Sequence, residues 1–512
     1  MGAMNTPPTF PRPRQRGWGG ALQAVAAAAG LAALAAATAP QALAAEARPG
    51  LKPCRVQGVV HDAQCGVLRR PLDPAQPQGV QIEVHYAVLP ALARNRQSDP
   101  VFFFAGGPGQ SAIALGGQIS RLLARLGNRR DVVLVDQRGT GSTAPLYCDE
   151  VSVFEPLVQG MDNERQAARL QACTTQLQKL PHGNLRHYTT TVAMQDVDAV
   201  RQALGAPRIN LVGGSYGTRA VLEYMRQFPK AVRRAVIDGV APPDMVLPAA
   251  FSTDNQAALA QVFKSCEADA ACRARYPQLR EDWQKLLASM PREMTVAHPV
   301  LGRTEKATLT RDGLLNLVRA PMYVPVLASA LPMAIGEGAA GRLEPLVGLA
   351  IAFAGGGGRA MRMSEGMHFS VVCAEDYPRL AQATDVPGAD FGSTFAQQYQ
   401  RICGSWPRGE VPAAFYTVPP AQAATLVLSG GADPVTPPRH GERVTKLLGA
   451  QARHVVVKEA GHGVMGLGCM RDVLFRFINA ESDAEALKVD ASCAENIPRP
   501  PVHLPPVAEA AK

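Results

Sequence analysis

Five short apolar runs limit most strongly what this chain can fold into: "DVVLVDQRG", "RINLVGG", "RRAVIDGV", "ATLVLSGGAD" and "RHVVVKEAGHG". Each is an unbroken apolar stretch closed by glycine or an acidic turn, the pattern of a strand buried on both faces of a parallel sheet. Between them lie segments of helical spacing: "MQDVDAVRQALG", which ends on a glycine stop, "TRAVLEYMRQF", "HGERVTKLLG" and "MRDVLFRFINA". Upstream, "VQIEVHYAVL" alternates as a strand does and "PVFFFAGG" reads as another, with helical spacing over residues 111 to 126. This alternation specifies an α/β class fold, a mostly parallel sheet covered by helices.

The rhythm breaks between residues 246 and 415, where "NQAALAQVFKSCEADAACRARY" and "EDWQKLLASM" are helical and strand signals stay sparse until "FSVVCAED". One domain in two parts, 45–245 and 416–495, interrupted by a mostly helical cap at 246–415, accounts for this order. At 512 residues the chain is long enough for such a domain. The end, 496–512, is proline-rich ("IPRPPVHLPPV") and is expected to run extended over the surface.

Residues 1–44 carry Arg12, Arg14 and Arg16 ahead of an alanine-rich apolar stretch that closes on Ala42-Leu43-Ala44. They read as an export signal cleaved after Ala44; the competing reading is an uncleaved membrane anchor. No cysteine precedes Cys54 to accept a lipid, and no second long apolar run follows. The mature chain is therefore expected in the periplasm or outside the cell, without stable membrane insertion. The formal net charge is +9, and removing three arginines leaves 9 − 3 = +6, spread without a basic run interleaved with aromatics. Nucleic acid is thus not an expected partner.

All ten cysteines fall after the signal: Cys54, Cys65, Cys148, Cys173, Cys266, Cys272, Cys373, Cys403, Cys469 and Cys493. An even count in an exported chain favours disulfides, and no C-x-x-C or Cys/His spacing suggests a metal site. Pairing of neighbours in order, giving five short loops, is the expectation.

The chemistry concentrates at Gly213-Gly214-Ser215-Tyr216-Gly217, where a strand gives way to a helix. A serine there sits on a tight, strained turn that lifts its hydroxyl above the sheet, and flanking glycines admit the close backbone approach. A hydroxyl is a weak nucleophile and needs a base, which in turn needs an orienting acid. Asp433 and His462 each follow the end of a later strand, on the rim where such sheets build their sites. Singly, each has a bland reading: a turn aspartate before Pro434, a loop histidine between glycines. Jointly they complete a Ser215, Asp433, His462 triad. The Tyr216 N–H and a glycine N–H in "AGGPGQS", Gly107 or else Gly106, are the expected oxyanion donors.

"AGGPGQS", "DQRGTGST", "GGSYGT", "GADPVTPP" and "GHG", in this order over roughly residues 80 to 480, resemble the α/β-hydrolase peptidases of the proline iminopeptidase family, and more closely its exported, tripeptidyl-aminopeptidase-like branch. The resemblance implies the α/β-hydrolase fold, Ser215 as nucleophile with Asp433 and His462, and a helical cap over the site. It makes Asp136, Gln137 and Arg138 supporting residues and suggests that Thr436 helps to position the site, where it is counted with the substrate-binding residues. Ala105 and Tyr216 depart from the histidine and tryptophan usual in proline iminopeptidases, which shifts the expectation toward the tripeptidyl-type branch.

The leading functional expectation is an exported serine exopeptidase that frees N-terminal residues from peptides, with no metal or cofactor. Such an enzyme needs a carboxylate for the substrate's positive amine, and Glu375 is chosen from Glu365, Glu375 and Asp376. A carboxylesterase acting on small esters with the same triad is the alternative. A surface protein that retains the fold without catalysis is the reading from another class.

Overall fold

A computed structural model of the chain describes residues 50–149, 163–297, 302, 304–355 and 362–505. Residues 1–44, expected from the sequence to be an export signal, and the last residues of the proline-rich tail lie outside them. Among the described residues, nine strands form one sheet in the order β1-β2-β3-β5-β4-β6-β7-β10-β11. These are Lys52–Cys54, Ala63–Pro71, Gln81–Leu89, Val132–Val135, Val101–Phe104, Ile209–Gly214, Val232–Asp238, Thr425–Gly430 and Ala452–Val457. From β5 to β11 every neighbouring pair is parallel; β1, β2 and β3 extend the sheet antiparallel. The mostly parallel sheet expected from the apolar runs is thus the observed one, and the short β1 and the β2 strand are additions that the alternation did not predict.

Period-two alternation sorts each central strand between two cores. Phe102 and Phe104, Val133 and Val135, Ile209 and Leu211, and Ala235 and Ile237 pack on one face of the sheet. Val101, Val132 and Leu134, Val212, Val236, and Leu426 and Leu428 pack on the other. Both faces are dry because helices cover both, which is why the runs contain no polar interruption.

Between β7 and β10 the chain builds helices with their own core around Leu259, Trp283, Leu314, Leu331 and Phe391. It also contains an antiparallel pair, β8 (Arg292–Ala297) with β9 (Thr304–Leu309), which the sequence did not suggest. Its strands are largely solvated, so no apolar run marked them. "FSVVCAED", the stretch at which strand signals were expected to return, lies instead almost wholly in the helix Glu365–Glu375. Ser364 caps that helix by accepting from the Met367 N–H, and all but its first residue are buried. A helix buried on every side carries no 3.6-residue pattern, so its apolar run cannot be told from a strand's by periodicity.

All ten cysteines pair with their neighbours in order: Cys54–Cys65, Cys148–Cys173, Cys266–Cys272, Cys373–Cys403 and Cys469–Cys493. No helix among the described residues is long and apolar enough to cross a membrane.

Candidate active site

Sheet register brings the ends of four strands to one rim. Gly214 pairs with Asp238, Asp238 with Leu428, and Gly430 with Val457, so the residues that follow β6, β7, β10 and β11 emerge side by side. Ser215 is the first residue past β6. Its backbone has φ +56° and ψ −128°, a conformation costly for a residue with a Cβ. The surrounding bonds hold it there: the Ser215 N–H donates to the Asp238 carbonyl (2.9 Å), and the Ser215 carbonyl accepts from the Thr218 N–H (2.8 Å) and hydroxyl (2.6 Å). The flanking glycines are steric necessities. A Cβ on Gly213 would stand 2.5 Å from the Gly217 oxygen, and one on Gly217 would stand 2.1 Å from the Phe104 oxygen.

Asp433 and His462, from the loops after β10 and β11, meet at 2.8 Å between Oδ2 and Nδ1. Thr436 stands at the same junction, donating its hydroxyl to Asp433 Oδ2 (2.8 Å) with its oxygen 3.1 Å from His462 Nδ1. The other Asp433 oxygen accepts the Val435 and Thr436 N–H groups, both at 2.9 Å. Burial pushes the Asp433 carboxyl up, but His462 and these two amides outweigh it and hold it below the usual range. Burial likewise pushes His462 down, and the charge and hydrogen bond of Asp433, with the charge of Asp238, outweigh it and hold the imidazole above its usual value. With Nδ1–H donated to Asp433, Nε2 is the free acceptor. The imidazole and the serine share close neighbours: Gly239, next to the carbonyl that receives the Ser215 N–H, is so near that a Cβ on it would lie 3.3 Å from His462 Cε1. Among the described residues the Ser215 hydroxyl makes no hydrogen bond in this conformation; such bonds commonly tighten only once substrate is bound.

Asp238 escaped the sequence reading. It is buried, accepts the Val464 and Met465 N–H groups at 2.7 Å each, and thereby anchors the turn that carries His462. Burial raises its carboxyl to about 6. The signal for it was an aspartate closing "AVID" on the same rim as the other strand ends.

The loop "AGGPGQS" passes directly against the elbow, since a Cβ on Gly106 would be 3.2 Å from Ser215 Cβ. Neither the Gly107 N–H nor the Tyr216 N–H is taken by a hydrogen bond among the described residues. Two groups from the segment between β7 and β10 hold this loop: the Ser364 N–H donates to the Gly109 carbonyl (2.8 Å), and His368 Nδ1 lies 3.2 Å from the Pro108 carbonyl. Burial pushes His368 down to about 4, so its ring is neutral, with Nδ1–H donating to Pro108 and Nε2 accepting the Tyr399 hydroxyl at 2.7 Å. Asp136 and Arg138 lie farther back: Asp136 accepts Ser111 Oγ (2.7 Å), and Arg138 donates to Asp196 (2.8 Å) and to the Leu72 and His187 carbonyls. Gln137 accepts the Tyr216 hydroxyl at 3.4 Å.

Glu375 is not where an amine could reach it. It is fully buried beneath the elbow helix Tyr216–Gln227, accepting the Thr190 N–H (2.7 Å) and pairing with Arg219 (3.4 Å), which Asp376 also holds. Burial, opposed by Arg219, raises its carboxyl to about 7. Its role is to dock the helix Thr190–Ala203 and the elbow helix on each other, a correction to the expectation that it binds substrate. Thr436 likewise contacts Asp433 and His462. Thr436→Val, which keeps the shape and removes the hydroxyl, is expected to lose about 2 kcal/mol of transition-state stabilisation, a fall of roughly thirtyfold in kcat. Steady-state kinetics with KM reported separately checks this, and an unchanged kcat would contradict it.

Residues 99–311 match the family model described as alpha/beta hydrolase fold, and residues 387–493 match that described as TAP-like protein. Tripeptidyl aminopeptidase of Streptomyces lividans is 31% identical over 196 residues, covering 35% of this chain and 36% of that protein. The chain thus matches little more than a third of that relative's length. Serine protease Hip1 of Mycobacterium tuberculosis is 26% identical over 424 residues, covering 76% of this chain and 80% of that one. Proline iminopeptidase of Xylella fastidiosa is 34% identical over 61 residues, 12% of this chain and 20% of the relative. With a mostly parallel sheet flanked by helices and the match over residues 99–311, the chain has the α/β-hydrolase fold.

Proposed function

We propose that the protein is an exported serine exopeptidase that releases N-terminal residues from peptides through an acyl-enzyme on Ser215. The observation that carries this reading is the buried Asp433–His462 hydrogen bond on the same rim as the strained Ser215. In this mechanism His462 Nε2 takes the hydroxyl proton as Ser215 attacks the scissile carbonyl. The Gly107 and Tyr216 N–H groups receive the negative oxygen, each such donor being worth roughly 3 kcal/mol. His462 then protonates the leaving amine, and water, activated by the same imidazole, releases the acyl group. Asp433 keeps the ring in the productive tautomer, while Thr436 and Asp238 hold the two loops in place. The names of the peptidase relatives support a peptide substrate. Five disulfides with no free cysteine suit an oxidising compartment and support export.

A carboxylesterase is the second reading. It is favoured by the burial of Glu375 on Arg219, which removes the carboxylate expected to receive a substrate amine. Matched peptides with free and acetylated N-termini separate the two. The exopeptidase reading expects blocking to lower kcat/KM by roughly 10- to 100-fold, as for a hydrogen bond to a charged group worth about 1.5–3 kcal/mol; indifference to blocking, with fast ester cleavage, would reject it.

A further inference from the structure

Arg319 stands out among the cations near the site. It lies one turn before Tyr323, whose backbone carbonyl accepts the His462 N–H (2.9 Å) and whose ring meets the His462 ring edge-on at 5.1 Å. The guanidinium donates to the Tyr323 hydroxyl (3.3 Å) and lies 5.3 Å from the Phe395 ring centroid and 6.0 Å from that of Tyr323. Its charge also acts on His368 and Tyr399, the pair that braces the oxyanion loop. Arg319 is therefore held against the tyrosine whose ring abuts the His462 imidazole.

Among the described residues no carboxylate pairs with it. Arg319 itself is half-buried, whereas the fully buried arginines each have one: Arg219 has Asp376, Arg138 has Asp196, Arg130 has Asp99 and Arg234 has Asp483. The carboxylates of the neighbouring elements are otherwise engaged. Asp312, two turns earlier on the same helix, accepts from Asn163 and Thr394; Glu365 pairs with Arg169; Glu375 and Asp376 hold Arg219. Arg319 Nε is buried and has no hydrogen-bond partner. A guanidinium beside two aromatic rings, with an N–H that has no partner, gains charge-assisted bonds when a carboxylate is brought to it.

We infer that Arg319 is a specificity residue that binds a substrate carboxylate close to the scissile bond. This rests on the reading of Ser215 as the nucleophile. Arg319 Cζ lies 6.0 Å from the Tyr323 ring centroid, which is 5.1 Å from that of His462, so the distance between Arg319 and the imidazole is no longer than roughly three residues of extended peptide span at ~3.3 Å each. The carboxylate is accordingly the C-terminus of a short peptide or an acidic side chain flanking the cleaved bond.

The test is kcat/KM for two matched pairs, a short peptide as free acid against its C-terminal amide, and a glutamate against a glutamine beside the scissile bond. Each is measured with the full-length mature protein, with Arg319→Met and with Arg319→Lys. The wild type should favour the carboxylate member of at least one pair by about tenfold or more, and that pair identifies the source. The ratio should fall to within about twofold of unity in Arg319→Met and be partly kept in Arg319→Lys, which retains the charge without the fork. Should Arg319→Met fail to fold, the reduced ratio in Arg319→Lys decides. Equal rates within both wild-type pairs, or a ratio that survives both substitutions, would overturn the inference. A protein that cleaves esters but no peptide rejects the peptidase reading instead, and the same ratio taken on an aryl ester with an acid tail and its amide counterpart then decides the role of Arg319.

Discussion

Ser215→Ala is expected to lower kcat by about 10⁴-fold or more on any ester or peptide the protein cleaves, while leaving the fold intact. The change removes one oxygen that makes no bond in the resting structure, so the Asp433–His462–Thr436 junction and the backbone bonds of the elbow survive it. The residual rate is what substrate binding and the oxyanion donors supply alone. Circular dichroism and the melting temperature should be unchanged, and labelling by a serine-directed phosphonate should disappear. A variant that keeps activity within tenfold of the wild type would remove the nucleophile assignment.

Asp433→Asn is expected to cost about 10⁴-fold in kcat, because an amide in place of the carboxylate stabilises the wrong imidazole tautomer and no longer balances the imidazolium formed during attack. It also makes a signed pH prediction. His462 acts as a base only when neutral, so kcat/KM falls as the pH drops through its pKa, which in the wild type is held above 6.5. Burial acts to lower that pKa, and the charge and hydrogen bond of Asp433 reverse the effect. Without them burial prevails over the remaining pull of Asp238, and the acid limb moves downward, below 6.5. A pH profile of kcat/KM in both proteins reads this directly. An acid limb that stays in place or rises would mean that Asp433 is not the partner of the titrating group.

The route from residues to site was open where chemistry coincides with strand ends. Ser215, Asp433 and His462 each follow an apolar run, and a parallel sheet must release its chain from one rim at every such end. The ordered pairing of the cysteines was equally legible, since every loop it closes is short. Other groups were hidden for a physical reason. Asp238 grips the His462 turn across 226 positions, and Glu375 meets Arg219 across 156. Nothing local marks a carboxylate as destined for a distant amide or guanidinium, so Glu375 looked like a group available to an amine. The buried helix Glu365–Glu375 was concealed in another way, by lacking a polar face.

By itself, then, the order of apolar runs, glycines and reactive side chains determined the sheet, the elbow and the three groups along its rim, because local backbone sterics and strand periodicity operate within a few residues. Only the tertiary structure decided which carboxylates are neutralised inside the protein and that Arg319, among the described residues, is held without one. Desolvation and charge pairing depend on what surrounds a group in space, and that is settled when segments hundreds of residues apart pack together.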